Sequence, residues 1–449
     1  MVTAAAAAPD ATNVNRLRCA RCGVESAERS CFFVPERNGK PPHDTRCITC
    51  EQRRLQPTVR RGFALILSIT LLPIPFFAVA AAESHNSWYL IGVLCSSLFY
   101  PFAIVAHELG HALTARTVGL EVGAIDIGFG HTLWRFEVAS IPVRIHAWPL
   151  SGRVQFGSRS LRLLRTRLWL ATLMGPMTNA LLIAAIIHWW GSLERPFGPV
   201  LPALCLAGNF IVVTVNLIPH SMHDLGRKLR SDGLALIQIP RTPQTTLHGY
   251  LVAALQMRSY SRFDAGDFEG AKEDLTQALQ RAPGEPLLAL GQASCFYYLG
   301  QYAAARLVLT SLLDGASTKR PYLQAAVRNG LAFALMMEDP DAGAESPTLQ
   351  QADQLSAASF EMYPCVLAYR STRSLVLSAL GRCDEAVRLL DYVHYAAAPV
   401  RERSHQETSR AFALRKSGRL GEARAIAARA AGLDRTARTF LVTLGLSVA

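Results

Sequence analysis

The chain has 449 residues, of which 50% are hydrophobic and 18% are charged, and its formal net charge is +12. This composition excludes an intrinsically disordered chain, and it is too apolar for an ordinary soluble protein of this length. Four windows contain no Asp, Glu, Lys or Arg: 62–82, 88–106, 168–190 and 200–218. Each is close to the ~20 residues that a helix needs to cross a bilayer. The sequence therefore predicts an integral membrane protein with about four spans.

The basic residues lie on alternate sides of these windows. Arginines precede the first window, eight arginines lie between the second and the third, and three basic residues follow the fourth, whereas the two other loops hold only Arg195. By the positive-inside rule, both termini are expected in the cytoplasm. The excess of Arg over Lys is typical of a GC-rich bacterial genome, so the expected location is a bacterial inner membrane. Residues 1–15 contain no secretory signal and are expected to be a flexible tail.

Two C-x-x-C pairs follow this tail. They are Cys19/Cys22 and Cys47/Cys50, separated by a segment that also contains Cys31 and His43 as substitute ligands. Paired thiolates at this spacing are typical of a structural zinc site, and zinc binding would supply the folding energy of so short a segment. We therefore expect a zinc ribbon over residues 16–56, with a redox-active C-x-x-C as the alternative. The sequence leaves open whether the ribbon contacts a protein or a nucleic acid.

The second apolar window runs into the sequence HELGH at 107–111. On a helix, His107 and His111 lie on one face, where two imidazoles can share a zinc ion. Glu108 is then placed to act as the general base toward a water molecule. Such residues at the end of an apolar span are costly unless they are paired or ligate a metal. The pattern predicts a catalytic zinc site in preference to a purely structural histidine pair.

In this context residues 88–240 resemble the site-2 proteases, which are intramembrane zinc metalloproteases. The resemblance rests on four features in order: HELGH, a β-loop with Gly128 and Gly130, GPMTN at 175–179, and NLIP at 216–219 before an Asp-Gly. It implies cleavage of a transmembrane protein, a carboxylate as third zinc ligand, and support of the substrate backbone or the aspartate segment by Asn179 and Asn216. We expect the loop with Gly128 and Gly130 to support an unwound substrate backbone by strand addition. For the two amides, ordinary hydrogen bonding between membrane helices is an equal alternative.

Two carboxylates compete for the third ligand position. Asp224 is nearest to the usual offset from Asn216 but is followed by leucine, whereas Asp232 keeps the Asp-Gly pair before an apolar stretch. We favour Asp232, because Gly233 permits a close backbone approach. The residues between the two aspartates are then expected to form a cytoplasmic excursion.

Residues 241–449 are soluble in composition and repetitive. A Gly-x-large-x-x-Ala pattern recurs at Gly266/Phe268/Ala271, Gly300/Tyr302/Ala305, Gly381/Cys383/Ala386 and Gly418/Leu420/Ala423. A period near 34 resembles tetratricopeptide repeats, and stacked helix pairs of this kind form an α-solenoid that binds protein partners. The 81-residue gap before Gly381 has room for two units and an insertion at 338–347.

The predicted fold is therefore mainly α. It comprises a polytopic membrane helix bundle with a small β-loop, a zinc ribbon at the N-terminus and an α-solenoid at the C-terminus. The expected domains are a tail (1–15), a ribbon (16–56), a metalloprotease core (57–240) and a repeat domain (241–449).

The expected function is zinc-dependent proteolysis within or near a transmembrane segment, in regulated intramembrane proteolysis, with one catalytic and one structural Zn²⁺. The alternative is an inactive membrane scaffold that recruits partners through the ribbon and the repeats.

Overall fold

The computed structural model describes residues 17–26, 32–33, 46–50, 87–139, 141–189, 200–224, 227–314, 320–392 and 398–446. The first apolar window (62–82), the tail, Cys31 and His43 lie outside these residues. The chain divides into two compact units, one of residues 1–54 with 284–449 and one of residues 55–283. The ribbon therefore shares a unit with the repeats, and the core includes the first helix pair of the region expected to be repeats.

Four short strands carry the two cysteine pairs. They are β1 (Leu17–Arg18), β2 (Glu25–Ser26), β3 (Phe32–Phe33) and β4 (Arg46–Cys47). β1 pairs antiparallel with β2, and β3 pairs antiparallel with β4. Gly23 has a φ of 73°, which glycine adopts without a steric penalty, and its N–H donates to the Cys19 carbonyl at 2.9 Å. This tight turn brings the first cysteine pair to the end of its hairpin.

Three long helices form the centre of the second unit. They are α1 (Ser87–Thr117), α2 (Leu164–Trp189) and α3 (Val200–Leu217), and each packs against the other two. They contain the second, third and fourth apolar windows. Among the residues that the structure describes, α2 alone has the length and hydropathy of a complete membrane span, while α3 contributes a shorter apolar stretch, Cys205–Leu217.

A long hairpin connects α1 to α2. Its strands, β5 (Glu121–Val138) and β6 (Ile141–Gly157), both bend, so Ile125 pairs with Val154 on one side and with Val143 on the other. Ile125, Ile127 and Val143 are buried in a cluster with apolar residues of α1 and α3. The hairpin therefore packs against the helices that carry the site.

The excursion after α3 is a second, shorter hairpin. Strands β7 (Ser221–Asp224) and β8 (Arg227–Arg230) pair antiparallel, and helix α4 (Asp232–Gln238) begins directly after them. Ser231 closes its base, because its hydroxyl donates to the Ile218 carbonyl at 2.8 Å and accepts from the His220 N–H at 3.0 Å. The chain therefore returns to the end of α3 before α4 begins.

A short helix, α5 (Gln244–His248), leads to the helix pair α6 (Tyr250–Ala265) and α7 (Phe268–Arg281). A Cβ atom on Gly123 or Gly157 of the long hairpin would lie within 2.8 Å of atoms of Ala254, so these glycines permit the close approach of α6. Arg281 of α7 bonds Glu121 of β5 at 2.7 Å. The first helix pair of the repetitive region is thereby joined to the core.

The remaining helices form four further antiparallel pairs and a final short helix. They are α8 (Pro286–Tyr298), α9 (Tyr302–Asp314), α10 (Pro321–Glu338), α11 (Pro347–Met362), α12 (Leu367–Ala379), α13 (Cys383–Leu390), α14 (Val400–Lys416), α15 (Leu420–Leu433) and α16 (Ala437–Thr443). The four pattern glycines all have positive φ and end the first helix of a pair. The pattern alanines are fully buried where the paired helices contact. The 81-residue gap contains the pair α10 and α11, joined by residues 339–346.

An aromatic cluster fills the core of this repeat array. The Tyr298 hydroxyl lies 3.0 Å from His405 Nε2, and Phe440 packs against both rings at centroid distances of 5.0 and 5.2 Å. Desolvation in this cluster, and then the charge of Arg401, lower the pKa of His405 to about 4. His405 is therefore neutral at physiological pH, and its hydrogen bond with Tyr298 joins two uncharged groups.

Candidate metal centres

The structure brings His107, His111 and Asp232 together from α1 and the start of α4. His107 Nε2 lies 3.1 Å from His111 Nε2 and 2.9 Å from Asp232 Oδ2, and His111 Nε2 lies 3.3 Å from the same oxygen. Two ligands on a tetrahedral zinc ion with Zn–N of about 2.0–2.1 Å lie about 3.3 Å apart, so the spacing fits. These are the residues that the sequence favours as ligands.

The outer nitrogens of both imidazoles are fixed by neighbouring groups. Asn179 donates its amide N–H groups to the Ala103 carbonyl (2.9 Å) and to Asn209 Oδ1 (2.7 Å), so its own Oδ1 faces His107 Nδ1 at 2.8 Å. Because this oxygen only accepts, His107 carries its proton on Nδ1 and keeps a lone pair on Nε2.

His111 is oriented in the same way by a backbone group. Its Nδ1 lies 2.8 Å from the carbonyl oxygen of Ala171 in α2, and a carbonyl can only accept. When both histidines are neutral, two imidazole lone pairs and a carboxylate oxygen therefore point toward one another. Such atoms repel unless a cation lies between them, so the donor set fits a divalent metal of the zinc type.

Glu108 lies beside these donors on the same helix. Its side chain is buried, and its Oε2 atom has no hydrogen-bond partner among the described residues. A buried carboxylate oxygen without a partner is costly in a folded protein, and such atoms are often functional. The glutamate is thus placed to exchange a proton with a molecule bound at the cluster.

Glycines make the close packing of the site possible. A Cβ atom on Gly175 of α2 would lie 2.2 Å from His111 Nε2, and one on Gly152 of β6 would lie 2.3 Å from Glu108 Oε1. A Cβ atom on Gly233 would lie 1.9 Å from the Leu217 carbonyl, which explains why glycine follows Asp232. At these three positions only glycine fits without rearrangement of the site.

Other residues expected at the site have different positions. The Asn216 amide donates to the Val212 carbonyl one turn earlier in α3 (2.9 Å), so it bonds its own helix. Gly128 has a φ of 88°, and a Cβ atom there would lie 2.4 Å from the Trp148 carbonyl, so the hairpin itself requires a glycine. Gly130 lies in β5, and Asp224 pairs through its backbone with Arg227; the surroundings of these two side chains lie outside the described structure.

Sequence reasoning missed Gly152, Gly175 and Asn209 as functional residues. Two signals were present. A glycine inside a strand or a helix often marks a close approach of two backbones or side chains. Asn209 is an amide within an apolar helix, the same feature that singled out Asn179 and Asn216.

A second group of metal-ligand type is formed by Cys19, Cys22, Cys47 and Cys50. Their four sulfur atoms lie within 4.8 Å of one another, and the Cys22 and Cys47 sulfurs are 3.7 Å apart. Tetrahedral Zn–S bonds of about 2.3 Å place sulfurs about 3.8 Å apart. Burial and the adjacent Cys47 thiol raise the pKa of Cys50. Because a thiolate there needs a compensating cation, the thiols and their spacing fit a zinc ion.

Known protein families match both halves of the chain. Residues 98–280 match the model of peptidase family M50. The chain carries a peptidase family M50 domain. This match confirms the resemblance to the site-2 proteases over these residues. Residues 262–330 match a tetratricopeptide repeat, so the C-terminal repeats are also confirmed. The M50 match ends at 280, close to the end of the core unit at 283.

Relatives match short segments of the chain. Candidate zinc metalloproteases are 38% identical over 66 residues in Nostoc sp. strain PCC 7120 and 35% identical over 95 residues in Campylobacter jejuni. The chloroplastic membrane metalloprotease ARASP of Arabidopsis thaliana is 42% identical over 53 residues. These segments cover 15%, 21% and 12% of this chain, and 18%, 23% and 12% of the relatives. The chain thus matches less than a quarter of the length of each relative.

Among solved structures, a thermophilic tetratricopeptide protein of Thermus thermophilus is similar to part of the chain. It is 20% identical, with a TM-score of 0.33, and the match covers 42% of this chain and 97% of that protein.

Proposed function

We propose that the protein is an intramembrane zinc metalloprotease that hydrolyses a peptide bond within or near a transmembrane segment of another membrane protein. The observation that carries the proposal is the convergence of two lone-pair nitrogens, one carboxylate oxygen and the unpartnered Glu108 oxygen inside an M50 domain. An inactive scaffold has no need of a buried glutamate without a partner. The wider role that we propose for this cleavage is regulated intramembrane proteolysis.

His107, His111 and Asp232 are the proposed ligands of the catalytic zinc ion, with Asp224 as the alternative third ligand. The metal would act as a Lewis acid toward the scissile carbonyl. Asn179 and the Ala171 carbonyl hold the protons of the two imidazoles on their outer nitrogens. Glu108 Oε2 takes the proton of the attacking water and returns it to the leaving amine.

The substrate must lose its helical hydrogen bonds before its carbonyl can be attacked, so an unwound segment needs replacement partners. In the described part of the chain, residues 152–157 have strand partners on one side only, residues 121–127. Gly152 of this edge lies against Glu108. We place the extended substrate at this edge by strand addition, with Gly128 and Gly130 supporting the bend of the hairpin.

The proposed membrane topology, location and partners of the protein rest on its sequence. The four apolar windows and the alternating arginines support about four spans, both termini in the cytoplasm and a bacterial inner membrane. The repeats supply a surface for protein partners. The four cysteines of the ribbon hold a second, structural zinc ion, and the matched families give no support to a nucleic-acid contact.

Zinc content separates the protease from the scaffold. Detergent-purified full-length protein is expected to hold two zinc ions per chain, and His111→Ala is expected to hold one. The full chain in liposomes should cleave single-span model substrates that carry helix-destabilising residues in mid-span. Glu108→Gln should lower the rate by at least about a hundredfold while both zinc ions remain.

The matched control is Glu269→Gln, an exposed glutamate of α7, which should leave cleavage unchanged. An unchanged zinc count in His111→Ala would refute the metal site and favour the scaffold. Cleavage by Glu108→Gln at the wild-type rate would refute the assigned role of Glu108.

A further inference from the structure

The ribbon packs against the repeat array within their common unit. The Ser26 hydroxyl donates to the carbonyls of Glu361 and Met362 at the end of α11, both at 3.0 Å. The Thr49 hydroxyl donates to the Cys365 carbonyl at 2.9 Å, in the turn before α12. The first hairpin and the helical turn after β4 are therefore bonded to the same turn of the repeats.

The cysteine cluster itself lies in this interface. Cys19, Cys47 and Cys50 are at most 1% exposed and share an apolar cluster with Tyr363 and Cys365 of the repeats. Residues at the end of α11 and the start of α12 thus form one wall of the metal-ligand pocket. The ribbon supplies the thiols, and the repeats exclude water from them.

A tyrosine from the end of α13 contacts one of the four sulfurs. The Tyr392 hydroxyl donates to Cys22 Sγ at 3.5 Å. Arg370 lies over the ring of this tyrosine, with Cζ 3.8 Å from the ring centroid. Its guanidinium donates to the carbonyls of Pro364 (2.6 Å) and Leu389 (3.2 Å), so its position is fixed.

Four thiolates around one divalent ion form a centre with a formal charge of −2. The hydroxyl proton of Tyr392 and the positive charge of Arg370 both suit such a negative centre. A hydroxyl donor toward a thiolate sulfur stabilises the deprotonated ligand, and a cation behind the ring strengthens that donor. Hydrogen bonds to metal ligands commonly change metal affinity by about 10–100-fold. Tyr392 and Arg370 have the geometry to act in this way.

We propose that the ribbon and the repeats form one composite zinc centre, in which Tyr392 is a positioning residue for Cys22 and zinc retention depends on ribbon docking. Conversely, loss of zinc releases the ribbon and exposes the repeat surface at residues 361–366 and Tyr392. The proposal rests on the structural zinc site of the ribbon proposed above.

The test measures zinc release from the full chain in the His111→Ala background, in which only the ribbon retains its ion. An excess of a chromogenic chelator reports the release rate. Tyr392→Phe is expected to raise that rate at least about tenfold. The matched control is Tyr302→Phe, which also removes a buried hydroxyl hydrogen bond (to Thr443, 3.1 Å) in the same unit and should leave the rate unchanged.

A second variant tests docking without altering any group that touches a sulfur. Ser26→Ala removes the hydroxyl proton shared between the Glu361 and Met362 carbonyls and is expected to raise the release rate several-fold. Trypsin cleavage within residues 16–50 should become faster in Tyr392→Phe, in Ser26→Ala and after chelation of the His111→Ala protein. Circular dichroism of each variant checks that the repeats remain folded.

The outcomes are distinguishable. A His111→Ala chain with no zinc refutes the ribbon metal site itself. A chain that holds one zinc ion, and whose release rate is the same in all variants, refutes the coupling and leaves the metal site intact. Unchanged trypsin sensitivity after chelation refutes release of the ribbon.

Discussion

Asn179→Ala tests how the catalytic metal is held. Asn179 is fully buried, and its amide makes three hydrogen bonds, to His107 Nδ1, the Ala103 carbonyl and Asn209 Oδ1. Alanine removes the acceptor that fixes the His107 tautomer. Loss of such a partner costs about 10–100-fold in metal affinity, or about 1.4–2.8 kcal/mol. The expected result is a catalytic zinc affinity lowered by that factor.

Asn216→Ala provides the matched control, because this amide also lies in an apolar helix and, among the described residues, donates to the Val212 carbonyl of its own helix. Its zinc affinity should stay within about twofold of the wild-type value. The assay is competition with a fluorescent zinc chelator on the full chain, in which the catalytic site is identified as the one lost in His111→Ala. Equal affinities of the Asn179→Ala and Asn216→Ala proteins would refute the argument that Asn179 orients His107.

Three further predictions concern the site glycines and a buried histidine. Gly175→Ala places a Cβ 2.2 Å from His111 and should remove the catalytic zinc, measured as a fall of one zinc ion per chain. Gly152→Ala places a Cβ 2.3 Å from Glu108 Oε1, so it should abolish cleavage in liposomes while zinc remains; retained cleavage would contradict the geometry. His405 has a pKa of about 4 in the fold against 6.5 in the unfolded chain, so the unfolded state binds the proton first as pH falls. Its contribution to the free energy of unfolding is present above pH 6.5 and is lost toward pH 4. Between about pH 7.5 and 5.5 the free energy of unfolding should fall by about 1.3 kcal/mol. The urea midpoint of the repeat unit should fall accordingly, and His405→Phe should show a smaller fall.

The sequence was most informative where a residue type has few structural explanations. HELGH predicted a helical pair of imidazoles, and the structure places both Nε2 atoms together. The pattern glycines predicted helix pairs, because a left-handed residue ends a helix and only glycine adopts that conformation cheaply. Gly233 also favoured Asp232, and the physical reason is that a Cβ atom at this position would lie 1.9 Å from the Leu217 carbonyl oxygen.

Long-range contacts could not be predicted in the same way. The Ser26 hydroxyl donates to carbonyls more than 300 residues away, and no local sequence pattern near Ser26 predicts these contacts. The closure of the short hairpin by Ser231 likewise depends on where the end of α3 lies. The first helix pair matches the repeat pattern and also packs on Gly123 and Gly157 of the core, a contact that sequence periodicity does not predict.

The division of the chain into units has a consequence for its synthesis. The core is inserted between the two parts of one unit, so the ribbon is made first and its repeat partners last. Cys22 and Tyr392 are 370 residues apart, which at about 5–20 residues per second corresponds to a delay of roughly 20–70 s. During the first part of this delay the nascent chain holds all four cysteines without the residues near Tyr363 that cover them. A chain that ends before Glu361 would keep its thiols open to solvent and to competing metals, and a chain that ends before Tyr392 would lack the hydroxyl contact to Cys22, so this centre is completed only when translation reaches the later repeats.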